Sequence, residues 1–367
     1  MHSISKKFSE FQEDNVYIHK FLSKNGEEFG LRLANPDDAE SISKIFKEIY
    51  NYEYINPYVY DSELLKQELL NKGNFWFVGD LLETNEIGGA GLVEKNKYIA
   101  RASRMVVRKK FQDVGLGVKM GAAGIVSATK LPQFKDVLRL DGETRGMKIG
   151  AQKLIRNAGA IPYGLVPAYL NYGDKRKFMN DHDTPIPALR EEAAILYSII
   201  FKTLWKKREK EVYLLDNEDF VFFYDFVRTK SKKMNKDILI FEKCKKNKGY
   251  ELYGVSRDFY GGRYNMYGYI KEKSLTQLLN THNNWRIILW RIPTTQNGIY
   301  SMSLALEKGF NIVGYDVGYS NFNWTLYDSV IMAYYPNGGS HVLNLKTLDE
   351  NKPLFNKVRE IFFSRVN

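Results

Sequence analysis

The chain of 367 residues is poor in cysteine, in proline and in long apolar runs. Its one cysteine, Cys244, allows no internal disulfide and no cysteine-built zinc site, and it favours a reducing compartment. The longest strongly apolar stretch, 193–201, is far shorter than the ~20 residues needed to cross a bilayer, and residues 1–7 begin no hydrophobic signal core. We therefore expect a cytoplasmic protein with no membrane partner.

The composition is that of a globular chain, with 44% hydrophobic and 26% charged residues. Extended disorder needs lower hydrophobicity, so we expect a folded chain. Because the length exceeds what one ordinary core supports, we expect two domains. The 54 basic residues outnumber the 43 acidic ones, which gives a net charge of +11. This excess suits a phosphate-bearing cofactor, a nucleic acid, a membrane face or plain solubility, and it carries little weight alone.

The first half of the chain reads as alternating strands and helices. Strands are predicted at 29–33, 75–81, 87–93, 98–107, 137–141 and 161–166, and helices at 36–50, 61–71, 118–129 and 148–157. The asparagine and aspartate side chains of 35–38 can cap the first helix, and Pro36 suits its first turn. Residues 193–205 fit either a strand or a buried helix.

The second half repeats part of this order. Strands are predicted at 238–241, 250–255, 264–270, 286–292, 311–315 and 329–335, and helices at 275–280 and 297–308. In both halves a helix ends at a glycine, Gly159 or Gly309, and a strand follows. We predict an arm at 1–28 and two related domains at 29–205 and 211–367, of which the second is divergent.

A short glycine motif between a predicted strand and a predicted helix is the strongest chemical signal in the chain. It reads Gln112-Asp113-Val114-Gly115-Leu116-Gly117. Two glycines allow a tight turn and close approach of a ligand, while the free amides and the dipole of the following helix favour an anion. Arg108, Lys109 and Lys110 precede the motif and add positive charge.

The motif and the element order around it resemble the GCN5-related N-acetyltransferase (GNAT) superfamily over roughly 29–166. The matching residues are Gln112, Gly115 and Gly117. The resemblance implies an α/β (α+β) fold with a mixed, mostly antiparallel sheet flanked by helices, here in a tandem form with a degenerate second unit. It also implies that residues 112–117 hold the pyrophosphate of acetyl-CoA or another acyl-CoA. The preceding strand, ending at Met105, Val106 and Val107, would pair with the pantetheine arm and polarise the thioester carbonyl.

The sequence departs from the family at two points. The family often has a tyrosine as general acid four residues before the closing glycine, and this chain has Ile155 there and Ala305 in the second unit. Neither side chain can donate a proton. The second unit also lacks the glycine loop, because the glycine pair within 257–263 lies between predicted strands, so we expect one coenzyme site per chain.

Candidate catalytic groups follow from the need to deprotonate an ammonium acceptor. Glu143, just after the predicted strand 137–141, is the first candidate for the general base, Asp141 the second and Glu94 the third. Each could instead be a solvated or ion-paired carboxylate. Tyr163 could reach the thioester sulphur, although a tyrosine on that strand is more often a packing residue.

Other motifs favour plainer interpretations. His182 stands between two aspartates, and three consecutive residues cannot easily converge on one ion, so no metal site is predicted. The aromatic residues of 220–226 and 260–269 indicate core packing rather than base stacking. The charged loop 172–177 is either a solvated turn or a segment that recognises an acidic acceptor.

These observations leave three functional hypotheses. The first is a transferase that moves an acyl group from acyl-CoA, with acetyl-CoA preferred, to a small-molecule amine by direct attack on the thioester. The second is an aminoacyl-tRNA-dependent transferase built from two such units, the only case in which a nucleic acid is expected. The third is a non-catalytic ligand-binding protein of the same fold. The glycine motif favours the first.

Overall fold

The computed structural model describes residues 17–178, 184–231, 237–243, 251–322, 324–338, 343 and 345–363. Cys244 and the His182 motif lie outside these residues, so the predictions made on them stay untested. The chain forms two compact units. Unit 1 comprises Met1–Glu143, Lys153–Gly159 and Gly173–Arg176, and unit 2 comprises Thr144–Gln152, Ala160–Tyr172 and Lys177–Asn367. The domain boundary placed at 206–210 from the sequence stays a prediction.

Unit 1 begins with a hairpin and continues as alternating helices and strands. Its strands are β1 His19–Leu22, β2 Glu28–Leu33, β3 Asn74–Leu81, β4 Glu86–Asn96, β5 Ile99–Val107 and β6 Arg139–Arg145, the last of which continues into unit 2. Its helices are α1 Ala39–Tyr50, α2 Ser62–Leu70 and α3 Leu116–Ala128, and α4 Ile149–Asn157 contributes residues to both units.

The sheet of unit 1 has the strand order β1-β2-β3-β4-β5-β6. Neighbouring strands are antiparallel from β1 to β5, whereas β5 and β6 are parallel. A mostly antiparallel sheet flanked by helices confirms the predicted fold class. The pairing of β1 with β2 was not predicted, because residues 1–28 show no clear period.

The start of α1 shows how the sequence attaches a helix to this sheet. Asn35 and Asp38 form a capping box around the short 3-10 turn before α1, as the sequence predicted. Arg32 of β2 then binds Asp38 at 2.7 Å and Asp80 of β3 at 2.6 Å. Ile42, Ile45 and Phe46 of α1 are fully buried, so one face of the helix packs into the core.

Unit 2 contains most of the remaining elements. Its strands are β7 Ile161–Tyr172, β8 Arg190–Ile200, β9 Glu211–Leu215, β10 Ile238–Glu242, β11 Leu252–Asp258, β12 Arg263–Tyr269, β13 Ile287–Pro293, β14 Asn311–Phe322 and β15 Thr325–Tyr334. Its helices are α5 Lys202–Lys207, α6 Glu218–Lys230, α7 Glu272–Thr281, α8 Gln296–Glu307 and α9 Lys352–Phe363.

The main sheet of unit 2 runs in the order β8-β7-β14-β15-β13-β12-β11. It is antiparallel except between β12 and β13, and β9 pairs with β10 in a separate parallel pair. The aromatic run 220–226 lies on α6, where Phe220 and Phe223 are fully buried, in agreement with core packing. The ambiguous stretch 193–205 forms strand β8 followed by helix α5.

Two hairpins of unit 2, β7–β8 and β14–β15, repeat the same irregularities. β7 and β14 meet at Gly164 and Gly314, and each has a register shift immediately before that glycine and a second one a few residues later. Ala168 and Gly318, 150 positions apart like the two glycines, both have a positive φ, of 51° and 61°. This shared geometry supports the prediction of two related segments in the chain.

The sequence missed β9, α6 and α9, and it placed the end of β6 too early. Because β6 extends to Arg145, Glu143 lies within the strand and not after it. In the part of the chain that the structure describes, no helix is both long and apolar enough to span a membrane.

Candidate functional site

A β-bulge in β5 is the first unusual feature of unit 1. Ala90 of β4 pairs with Val106, but Leu92 pairs with Ser103, so Arg104 and Met105 oppose Gly91 alone. Arg104 has φ +54°, the left-handed conformation that non-glycine residues rarely adopt. Such bulges often lie beside functional sites, where they redirect the strand and its side chains.

Beyond this point, β5 separates from β6. Their parallel pairing covers Ile99 to Ala102 of β5 and ends at Gly142 of β6, although both strands continue. The stretch of β5 from Ser103 to Val107 therefore has an edge that β6 does not pair. Such an edge can accept an extended ligand through backbone hydrogen bonds.

The glycine motif lies between the end of β5 and the start of α3. Gly115 is the N-cap of α3 with φ +87°, which favours glycine, and no side chain caps this helix. The first amides of any helix lack partners within it, so those of Leu116, Gly117 and Val118 are open to an anion. Gln112 donates from Nε2 to the Val107 carbonyl at 3.0 Å and so fixes the motif to the end of β5.

Lys24, in the turn between β1 and β2, also lies beside this motif. Its backbone amide donates to the Val114 carbonyl at 2.9 Å, and its Nζ donates to the Asp113 carbonyl at 3.1 Å. Lys119 of α3 donates in turn to the Leu22 carbonyl. Sequence reasoning missed Lys24 because it lies 89 residues before Asp113 in a segment without a period.

Two side chains of the basic run before the motif, Arg108 and Lys110, form ion pairs with glutamates. Arg108 binds Glu48 at 2.9 Å and Glu86 at 3.3 Å, and Lys110 binds Glu86 at 2.5 Å. The Lys109 amide donates to Glu48 at 2.7 Å. The charges of Arg108 and Lys110 are therefore offset in part by Glu48 and Glu86, while Lys24 and Lys119 place two further ammonium groups close to the motif.

The two faces of the sheet of unit 1 differ in chemistry. A Cβ built on Gly89 or Gly91 would meet Met120 of α3 or Met105 of the bulge, so this face is apolar and is covered by α3. On the opposite face Arg104 binds Glu94 at 3.3 Å, and its guanidinium lies 5.2 Å from the ring centre of Tyr58. Side chains that alternate along β5 therefore point to an apolar face covered by α3 and to an opposite, charged face.

The predicted bases lie on β4 and β6, and each has an arginine nearby. Asp141 binds Arg139 at 2.6 Å, and both side chains are buried. Glu143 is half-buried, with an Oε1 3.8 Å from Nη2 of Arg101, outside hydrogen-bond distance. The ion pair of Asp141 with Arg139 is therefore shorter and more buried than the contact of Glu143 with Arg101.

Tyr163 belongs to unit 2, whereas the glycine motif belongs to unit 1. It is buried at the register shift of β7, and its carbonyl lies against Gly314. Its proposed action on the thioester stays a prediction. The loop at 173–176 packs in unit 1, where Asp174 binds Arg176, whose guanidinium lies 4.1 Å from the ring centre of Tyr52.

Ile155, at the position of the family's tyrosine, is an apolar packing residue. It is buried, and its Cδ1 occupies the space that a Cβ on Gly142 would need. Ala305 is likewise fully buried. Neither position offers a proton donor.

In unit 2 the parallel pairing of β12 with β13 ends at Tyr267 and Arg291, and each strand continues for only two more residues. β11 and β12 pair in an unbroken register, and their glycine pair, Gly261 and Gly262, forms the hairpin turn. Trp290 of β13 is fully buried and donates to the Gly268 carbonyl of β12 at 2.9 Å. Helix α7 follows β12 directly, with Glu272 in its first turn, where an acidic side chain opposes the binding of an anion.

One group of carboxylates in the described chain, Glu218, Asp219 and Glu360, has the spacing of metal ligands. Lys357 already bridges this group, at 2.6 Å from Asp219 and 3.1 Å from Glu360. An ammonium therefore takes the place that a cation would need.

No family model matches the chain, and no curated protein matches its sequence. Solved structures resemble parts of it. The ribosomal-protein-S5-alanine acetyltransferase from Vibrio fischeri is 17% identical, with a TM-score of 0.39 over 50% of this chain and 97% of its own. A GNAT-family acetyltransferase from Streptococcus pneumoniae is 14% identical, with a TM-score of 0.37 over 47% of this chain and 99% of its own.

A third structure, yncA from Salmonella typhimurium, was solved with its cofactor acetyl-CoA. It is 14% identical, with a TM-score of 0.38 over 47% of this chain and 94% of its own. Each of the three structures thus matches about half of the chain.

Proposed function

We propose that the chain is an N-acyltransferase that uses acetyl-CoA or another acyl-CoA. The observation that carries the proposal is the position of the uncapped α3 terminus at Gly115, which Gln112 fixes to the end of β5. The adjoining strand has an edge left unpaired by β6. An anion site followed by a free strand edge suits a ligand with a pyrophosphate and a long amide-bearing arm.

The coenzyme would bind in two parts. Its pyrophosphate would accept hydrogen bonds from the amides of 114–117, with the helix dipole and Lys24 adding favourable charge. The pantetheine amides would pair with the backbone of Met105, Val106 and Val107. This arrangement would place the thioester near the bulge, where main-chain amides near Val106 and Val107 can stabilise the developing oxyanion.

The chemistry would be direct transfer between coenzyme and acceptor. The deprotonated amine of a small molecule attacks the thioester carbonyl, the new C–N bond forms, and the C–S bond breaks to release the coenzyme thiolate. Glu143 would accept the amine proton, directly or through water. Because Ile155 cannot donate a proton, the thiolate would be protonated by water.

Calorimetric titration of the full chain with acetyl-CoA, ATP and tRNA tests the proposal. We expect saturable binding of acetyl-CoA and release of free thiol when an amine acceptor is present. Binding of tRNA without acetyl-CoA would favour the aminoacyl-transfer alternative. Acetyl-CoA binding without thiol release on any amine would favour a ligand-binding protein, and no acetyl-CoA binding would refute the proposal.

A further inference from the structure

A row of side chains crosses the charged face of the sheet in unit 1. Trp76 of β3 pairs with Leu92 of β4, and Leu92 pairs with Ser103 of β5. Directly paired residues point to the same face, so Trp76 and Ser103 lie on the same side as Leu92. Arg104 follows Ser103 and donates to its hydroxyl at 2.9 Å. Tyr58, from the short 3-10 helix Pro57–Tyr60, covers the guanidinium of Arg104.

Three hydrogen-bonding atoms in this layer are buried without a partner among the described residues. They are Nε1 of Trp76, the hydroxyl of Tyr58 and Nε of Arg104. Burial raises the pKa of Tyr58, so its hydroxyl keeps the proton and is a donor. A buried donor without an acceptor destabilises the fold, and native structures contain few of them. Two of these donors, on Tyr58 and Arg104, belong to side chains in contact with each other, so one acceptor-rich group placed there could reach both.

The charge on this face narrows the class of ligand. The three unpartnered groups donate, and a carboxylate is the group that accepts several hydrogen bonds at once, best of all from arginine. Glu94 lies only 3.3 Å from Arg104, so a negative and a positive group are adjacent. An α-amino acid presents the complementary pair, an ammonium and a carboxylate separated by one carbon atom.

We propose that the amine acceptor is a free α-amino acid, whose carboxylate binds Arg104 and Tyr58 while Glu94 attracts its ammonium group. This proposal rests on the proposed acyl-transfer function and names its substrate class. In this proposal Arg104 and Tyr58 determine specificity for the acceptor, and neither residue transfers a proton.

The test compares each of the twenty common α-amino acids with its own carboxamide, using acetyl-CoA and a free-thiol readout. The two members of a pair differ only in the carboxylate. We expect kcat/KM for at least one acid to exceed that of its amide by roughly tenfold or more, the scale of one charged hydrogen bond. Equal values for every acid and amide, or turnover confined to amines without a carboxylate, would overturn the proposal.

Two variants then locate the effect. Arg104→Met keeps the aliphatic stem and the same backbone strain, and it should lower the acid-to-amide ratio by roughly tenfold. Tyr58→Phe keeps the ring and removes only the hydroxyl, and it should lower the ratio by roughly threefold or more. Arg156→Met, an exposed change on α4, is the control and should leave the ratio unchanged.

If neither Arg104→Met nor Tyr58→Phe changes the acid-to-amide ratio of kcat/KM, the carboxylate binds elsewhere. That result would refute the assignment of Arg104 and Tyr58. Acetyl-CoA affinity, measured in parallel, separates this failure from that of the proposed function. If acetyl-CoA binds and no acid is preferred, only the acceptor class is wrong. If acetyl-CoA does not bind, the acyl-transfer function is itself wrong.

Discussion

Replacement of Gly117 by valine should abolish coenzyme binding without unfolding the chain. Gly117 is the second residue of α3, and a Cβ built there would lie 3.3 Å from Cγ2 of Val107 at the end of β5. The two additional valine methyl groups would extend from that Cβ into the region between the helix terminus and the free strand edge. That region is where the pyrophosphate is proposed to lie.

The expected magnitudes differ for stability and for binding. Valine is a better helix former than glycine by a few tenths of a kcal/mol, and crowding against Val107 offsets this gain, so the free energy of unfolding should change by less than about 1 kcal/mol. A hydrogen bond to a charged group contributes about 1.5–3 kcal/mol. Loss of two such bonds to the pyrophosphate should weaken acetyl-CoA binding by roughly 100-fold or more.

Calorimetry with acetyl-CoA measures the affinity, and thermal unfolding measures the stability. Gly150→Val is the matched control, because this glycine also lies in the first turn of a helix and a Cβ there would meet no atom within 4 Å. The control should bind acetyl-CoA like the wild type. Unchanged acetyl-CoA affinity of Gly117→Val would refute the placement of the coenzyme at this motif.

Three further predictions test the site and the fold. An acetyl-CoA titration should saturate at one equivalent per chain, and saturation at two would show that unit 2 binds coenzyme although it lacks the glycine motif. Glu143→Gln should lower turnover by roughly 10²-fold with little change in acyl-CoA affinity, and wild-type rates from pH 6 to 9 would remove Glu143 from the mechanism. Gly314→Ala should destabilise the chain by about 1–3 kcal/mol in chemical unfolding, because its Cβ would lie 2.8 Å from the Tyr163 carbonyl; unchanged stability would show that β7 and β14 need no close approach.

The sequence predicted those parts of the candidate site that depend on a few neighbouring residues. Gly115 marks a positive φ at a helix start, and Gln112 marks the family motif, so both were found without knowledge of the fold. The element order was also predicted, because hydrophobic period and turn residues act over short stretches. The strands and helices of unit 1 agree with this order, apart from β1.

The parts that the sequence missed depend on contacts between distant residues. Lys24 lies beside Gly115 only because β1 pairs with β2 at the sheet edge, and nothing near Lys24 in the sequence indicates this. The bulge at Arg104 likewise results from a mismatch in register between β4 and β5, which neither strand shows alone. The sequence also could not test the ranking of Glu143, Asp141 and Glu94 as general bases, because their ion-pair partners are known only from the folded chain.

Asp141 illustrates how those partners separate structural from chemical residues. Its carboxylate and Arg139 are both buried at 2.6 Å, and removal of one member of such a pair typically costs about 3–5 kcal/mol. Asp141→Asn should therefore lower stability, whereas the proposed role of Glu143 as general base predicts that Glu143→Gln lowers turnover. A single strand thus presents two carboxylates two residues apart on one face, of which Asp141 has a buried ion pair and Glu143 lies nearer the open end of the strand pair.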